Sequence, residues 1–116
     1  MEQLNRIELK GSVGSVRIRQ AGERNVASIS LVTNFAYKDR DGEPVIESTW
    51  HNVCAWEGKG VMKLEEIRRG APLHVIGRVR THKYTGSDGQ EKAVQEVLAY
   101  RLQALDTSDG QLQCEM

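Results

Sequence analysis

Apolar and polar residues alternate through the first part of the chain, which is the period of a β-strand. From residue 7 to residue 19 the apolar positions are odd-numbered as far as Val13 (Ile7, Leu9 and Val13) and even-numbered afterwards (Val16 and Ile18). The phase changes at Gly14, and a glycine inside a strand commonly marks a bulge or a sharp coil. The pattern therefore predicts one long strand that bends at this glycine.

Four more strands and one short helix are predicted further along the chain. The strands cover residues 26–37, 49–56, 73–84 and 92–105. Residues 59–70 change to a helical period, with apolar residues on one stripe and a glycine at the end. The order β-β-β-α-β-β predicts an all-β fold with a small helix, the five-stranded OB-fold Greek-key barrel.

Length and composition are those of one globular domain. The 116 residues are 28% charged and 39% hydrophobic, which is typical of a globular chain with one core. We expect an OB-fold domain over residues 1–105 and a short, flexible acidic tail over residues 106–116. The amino terminus does not have the pattern of a secretory signal, so a cytoplasmic location is expected.

Charge is balanced overall but not along the chain. Sixteen Lys and Arg residues face sixteen Asp and Glu residues, and three of those acids lie in the last eleven residues. Removing these three leaves thirteen acids, so residues 1–105 carry a net charge of +3. A modest positive charge over the domain permits a polyanionic partner.

The strand predicted at residues 49–56 carries both tryptophans of the chain on one face. Trp50 and Trp56 share their parity with Asn52, whereas Val53 and Ala55 point the other way. Val53 and Ala55 suit a barrel interior, which places the tryptophans outside. Taken alone, this strand leaves the opposite arrangement open, because aromatic residues are usually buried.

The strand predicted at residues 73–84 carries a basic stripe that ends in an aromatic residue. Its members are Arg78, Arg80, His82 and Tyr84. Cations that follow phosphates and rings that stack on bases are typical of proteins that bind single-stranded nucleic acid. A solvated strand face is the alternative for the stripe alone. The orientation of Tyr37 is left open by the sequence, because strict alternation points it inward unless a bulge or the strand end near Asn34 redirects it.

Catalytic and metal-binding arrangements are not predicted. His51, His74 and His82 are scattered without a partner nucleophile, and the sequence has no phosphate-binding glycine loop of the Gly-x-x-x-x-Gly-Lys type. Cys54 and Cys114 lack the spacing of a zinc site and are expected to be reduced thiols. We therefore expect no enzymatic activity, no cofactor and no metal.

Across residues 4–105 the chain resembles the bacterial single-stranded DNA-binding proteins. The resemblance lies in four segments and in their order: residues 4–11 (LNRIELKG), 27–33 (ASISLVT), 49–53 (TWHNV) and 77–84 (GRVRTHKY). It implies binding of single-stranded DNA by an OB-fold domain that assembles as a homotetramer.

The resemblance also implies roles for individual residues. Bases would stack on Tyr37, Trp50, Trp56 and Tyr84. Phosphates would contact Arg6, Lys38, Arg40, Lys59, Arg69, Arg80 and Lys83, to which the stripe argument adds Arg78. His51 would lie at the contact between subunits.

The expected function is sequence-tolerant binding and protection of single-stranded DNA in replication, repair and recombination.

Three positions depart from the family pattern: Asn52 replaces a basic residue, Tyr84 replaces a tryptophan, and Glu57 is added after the third strand. The acidic tip ending in Pro-Phe is not found, so recruitment of replication enzymes through the carboxyl terminus is not expected. A specialised accessory, such as a mobile-element paralogue or a primosomal protein, and a protein–protein adaptor are the alternative functions.

Overall fold

Five long strands wrap into a closed barrel in the computed structural model, which describes residues 2–105. The strands are β1 (Ile7–Ala21), β2 (Arg24–Lys38), β3 (Pro44–Trp56), β4 (Pro72–Thr85) and β5 (Glu91–Ala104). Their order around the barrel is β1, β2, β3, β5, β4, and β4 pairs again with β1. The predicted five-stranded, all-β barrel is confirmed. The predicted tail, residues 106–116, lies outside the described residues.

The barrel interior is filled by the apolar residues that alternation assigns to the inner strand faces. Leu31, Leu73, Val75 and Leu102 are fully buried, and no charged or polar side chain of residues 2–105 is buried with them. Burying a leucine or valine contributes about 1.5–3 kcal/mol. Hydrophobic burial in this one cluster is therefore the main stabilising contribution.

The bend predicted in the first strand is present as a β-bulge. β1 pairs with β4 through residues 7–12 and with β2 through residues 12–21, and the register shifts between Val13 and Ser15. Gly14 is the extra residue. Because a bulge changes the parity of everything after it, Arg17 and Arg19 come to lie on the outer face.

The predicted helix over residues 59–70 is wrong. The structure has a single 3-10 turn there, Leu64–Glu66. Leu64 and Ile67 are buried at a spacing of three residues, which is the period of a 3-10 helix. The preceding residues are held by β5 instead, because the backbone N–H of Met62 donates to Leu102 O at 2.9 Å. The apolar stripe thus packs against the barrel without an α-helix.

Two hairpins extend beyond the core. β2 and β3 stay paired as far as Lys38 and Pro44, so β3 begins five residues earlier than predicted. We call residues 34–48 the arm, and nearly all of them are exposed. The ends of β4 and β5 form a second exposed hairpin.

No helix in residues 2–105 is long and apolar enough to cross a membrane.

One short seam closes the barrel. β3 and β5 run parallel and share three residue pairs, from Val53 with Val97 to Ala55 with Ala99. β2 and β3 share thirteen pairs. The first halves of β3 and β5 therefore diverge, and a gap opens between them next to the tryptophan face of β3.

Candidate nucleic-acid interface

Both tryptophans lie on the outer face of β3, as alternation predicts. Val53 and Ala55 are 2% and 0% exposed, whereas Trp50 is 62% exposed and Trp56 is half-buried. An indole that is mostly exposed gains little from packing in the folded chain. Its open face is available to a flat partner such as a nucleobase.

The Trp50 ring rests on the bulge in β1. A Cβ atom added to Gly14 would lie 2.7 Å from the Cη2 atom of Trp50 and still closer to its Cζ3 atom. No side chain other than hydrogen leaves room for the ring in this position. The glycine that bends β1 thus also sets where the indole lies.

Replacing Gly14 by Ala should displace the Trp50 ring without unfolding the barrel. The clash is with the end of an exposed side chain, so the free energy of unfolding should change by less than about 1 kcal/mol. Affinity for a single-stranded oligonucleotide should fall by roughly 1 kcal/mol, a part of what one stacked base contributes.

A double-mutant cycle by fluorescence titration checks the Gly14 prediction. In a Trp50→Ala background, Gly14→Ala should cost nothing further. Equal losses in both backgrounds would show that the glycine acts on binding by a route other than this ring.

Trp56 is covered on one side by an arginine. The Arg24 guanidinium carbon lies 5.3 Å from the indole centroid, within cation–π distance. Arg24 Nη2 donates to the carbonyl oxygen of Glu57 at 2.7 Å, and the Glu57 carboxylate accepts from the Asn25 backbone N–H at 2.6 Å. The backbone carbonyl and the carboxylate of Glu57 thus tie Arg24 and Asn25, at the start of β2, to the end of β3 beside Trp56.

Tyr37 keeps the inward parity that strict alternation predicts, yet it is 42% exposed. The β2–β3 register shows no bulge near Asn34. The arm extends beyond the barrel core, so the face of its strands that continues the inner face of the barrel is exposed to solvent. Tyr37 therefore lies on the face of the β2–β3 ribbon opposite to Trp50.

Phe35 is an exposed aromatic residue that the sequence analysis did not select. It is 65% exposed, and its ring centroid lies 6.0 Å from that of Tyr37 at an interplanar angle of 31°. The only signal in the sequence was its shared parity with Tyr37. Together the two rings form an aromatic surface on the arm.

The basic stripe of β4 faces outward, but one of its arginines is already paired. Arg78 and His82 are exposed, and Tyr84 is 46% exposed. Arg80 Nε donates to the Glu96 carboxylate at 2.7 Å. The charge of Arg80 is therefore largely neutralised before any phosphate arrives, which the sequence did not indicate.

The stripe and the tryptophan face meet at the seam. Arg80 Nη2 lies 4.0 Å from the Sγ atom of Cys54, which lies between Trp50 and Trp56 on β3. Burial, reinforced by the nearby Glu96 carboxylate, raises the pKa of the Cys54 thiol. Cys54 is thus an uncharged packing residue between the two halves of the surface.

The other predicted phosphate contacts are exposed but dispersed. They are Arg6, Lys38, Arg40, Lys59, Arg69 and Lys83. Lys38 and Arg40 lie at the tip of the arm, and Lys83 lies 3.9 Å from Glu91 in an exposed pair. The Gly70 N–H donates to Val13 O, which brings Arg69 next to the bulge under Trp50. Their roles stay predictions.

His51 lies on the inner face of β3, at the gap beside the seam. Its Nε2 atom is hydrogen-bonded to Thr33 Oγ1 at 2.9 Å, and burial lowers the pKa of the ring. It lines a pocket of about 220 Å³ together with Ile7 and Val79. Its expected place at a subunit contact stays a prediction.

Known proteins resemble the chain in sequence and in fold. The profile of the single-strand binding protein family matches residues 4–105. A single-stranded DNA-binding protein of Xylella fastidiosa (strain Temecula1) is 34% identical over 111 residues, covering 92% of this chain and 67% of the relative. One of Xanthomonas axonopodis pv. citri is 34% identical over 105 residues, covering 88% and 58%. The chain thus spans about three fifths to two thirds of the length of these relatives.

Solved structures show the same barrel. The Plasmodium falciparum SSB in complex with ssDNA superimposes with a TM-score of 0.79 at 29% identity, covering 91% of this chain and 98% of that one. A deletion mutant of the single-stranded DNA binding protein from Thermus aquaticus gives a TM-score of 0.71 at 21% identity, covering 89% and 51%. These superpositions identify the barrel as an OB-fold.

Proposed function

Because the chain belongs to the single-strand binding protein family, we propose that it binds single-stranded DNA with little regard to base sequence and protects it during replication, repair and recombination. The observation that carries the proposal is Trp50, a 62% exposed indole seated on Gly14. A ring fixed in place with an open face is suited to stacking, and every base has a face to stack on.

Phosphate charge supplies the second part of the proposed binding. Arg78 and Lys83 lie on β4 and are exposed. Lysine and arginine residues that contact phosphates release counterions, so binding weakens as salt rises. Neither stacking nor phosphate contact depends on base identity. The proposed role is binding, not catalysis.

Self-association is part of the proposal. A single OB-fold covers roughly 4–16 nucleotides, so joining several barrels in one closed assembly lengthens the bound segment and raises avidity. We propose a homotetramer, with His51 beside the subunit contact. Its work on DNA would place the protein in the bacterial cytoplasm, at the nucleoid.

Titration with oligo(dT) at several salt concentrations tests the proposed function. The tryptophan fluorescence should be quenched, and the logarithm of the binding constant should fall linearly with that of salt concentration. Replacing Arg78 or Lys83 by Gln should reduce the magnitude of the slope by about 0.7 for each phosphate that the variant no longer neutralises.

Arg101→Gln is the matched control for the charge test, because Arg101 is exposed on β5 at the other end of the same strand pair. Its slope should equal that of the unmodified protein. No quenching at low salt would overturn the proposed function, and a strong preference for one base sequence would overturn the proposed mode of binding.

A further inference from the structure

A polar cavity of about 400 Å³ opens on the outer surface of β1, β2 and β3. None of the residues expected to bind DNA lines it. The polar residues that these three strands contribute are Ser15, Arg17, Arg19, Ser28, Ser30 and Asn52. Val94 and Glu96 of β5 close the opposite side.

Strand register explains why these side chains converge. Ser15 pairs with Ser30, which pairs with Asn52, and the next row is Arg17, Ser28 and Cys54. Cross-strand partners point to the same face of a sheet. The bulge at Gly14 is what brings both arginines to this face.

The cavity lies between the two tryptophans. Along β3 the outward positions between Trp50 and Trp56 are Asn52 and Cys54. Strands rise about 3.3 Å per residue, so the two indoles are attached roughly 20 Å apart. A DNA strand whose bases stack on both rings must pass over the cavity and its serines, Ser15, Ser28 and Ser30.

We propose that this cavity binds the phosphates of the DNA segment that joins the bases stacked on Trp50 and Trp56, with Arg17 and Arg19 as the principal ligands. The inference rests on the proposed function. Guanidinium groups and hydroxyls are donors that match phosphate oxygens. Within residues 2–105, neither arginine is in an ion pair with a carboxylate, so both charges are available.

Glu96 repels an anion in this cavity less than an unpaired carboxylate would, because it is paired with Arg80. Its side chain is 17% exposed, and Arg80 Nε donates to it at 2.7 Å. The pair is close to neutral, which leaves the two arginines of β1 to set the sign of the cavity. Phosphates are therefore drawn to the β1 side, away from Glu96.

The Arg17→Gln/Arg19→Gln double variant tests the phosphate site. In oligo(dT) titrations its salt slope should be smaller in magnitude by about 1.4, twice the value for one phosphate of a single strand. At 50 mM salt its affinity should be at least roughly tenfold weaker, since charge-assisted hydrogen bonds to phosphate are among the strong ones.

Two further variants keep the test decisive. Lys10→Gln removes a charge from the part of β1 that pairs with β4 and should leave slope and affinity unchanged. The Arg17→Lys/Arg19→Lys variant keeps both charges, so its salt slope should be close to that of the unmodified protein. That result would show that the smaller slope of the double Gln variant comes from the lost charges and not from a loss of folding.

The outcomes separate this inference from the proposed function. If the unmodified protein is not quenched by oligo(dT), the proposed function fails. If it is quenched with the expected salt slope, but the double Gln variant keeps that slope or Lys10→Gln reduces it as much, the phosphate site is wrong while the function stands.

Discussion

Trp50→Ala should weaken oligo(dT) binding by roughly 1–3 kcal/mol, or about 5- to 150-fold, while the barrel stays folded. The ring is 62% exposed and lies outside the core cluster, so its removal deletes little buried surface. What it deletes is a flat surface held by Gly14 against the bulge in β1. Isothermal titration gives the affinity, and urea unfolding gives the stability of the same variant.

Tyr100→Ala is the control for Trp50, because Tyr100 is also aromatic and is 50% exposed on β5. This variant should bind oligo(dT) as the unmodified protein does. Trp50→Phe keeps a smaller ring and should recover part of the affinity. If Trp50→Ala unfolds at much lower urea while its folded fraction binds normally, the indole is a packing residue and the stacking role is wrong.

Gly77→Ala should lower the free energy of unfolding by about 3 kcal/mol, the largest stability effect that we expect from a single methyl group. A Cβ atom at this position would lie 2.9 Å from the carbonyl carbon of Leu98, closer still to its oxygen, and 3.0 Å from the Cα atom of Ala99. These are backbone atoms of the neighbouring strand. They cannot move without disturbing the β4–β5 ladder, whose register already shifts between Ile76 and Gly77.

Gly86→Ala is the matched control, since it adds the same methyl group in the turn between β4 and β5. Its Cβ atom would meet the ends of the Asp88 and Lys92 side chains, which can rotate away. Its unfolding free energy should stay within about 1 kcal/mol of the unmodified value. Equal losses in the two variants would show that close backbone contact at Gly77 is not the cause.

Local alternation was enough to predict five strands and the bend at Gly14, although β3 begins five residues earlier than predicted. Each of these depends on which face of a strand a residue occupies, and neighbouring residues determine that. For the tryptophans alternation left two arrangements open, and the structure has the outward one. The helix over residues 59–70 was wrong for a related reason. Residues spaced by three suit a 3-10 turn as well as an α-helix, and hydrogen bonds to the distant Leu102 decide between them.

Contacts between side chains of different strands could not be predicted from the residue pattern of each strand by itself, because they depend on how the strands pair. Parity points Tyr37 inward, but only the length of the β2–β3 pairing shows that no core lies beneath it. Arg80 belongs to a basic stripe, but its pairing with Glu96 requires the register of β4 against β5. Arg17 and Arg19 resemble ordinary surface residues until the same kind of register places them, across β2, in the rows of Cys54 and Trp56.

The short β3–β5 seam also has a consequence for the order of folding. β1, β2 and β3 form antiparallel pairs between chain neighbours, and so do β4 and β5, so each half can form through local contacts. Two contacts join the halves: the β1–β4 pairing, between residues about sixty to seventy positions apart, and the seam, between residues more than forty positions apart. Distant contacts of this kind form slowly. The tryptophans belong to one half and the basic stripe to the other. Two formed halves that are not yet joined would carry the rings and the charges without the continuous surface between them. On the proposed function, the capacity to hold a DNA strand would therefore arise only when the halves join.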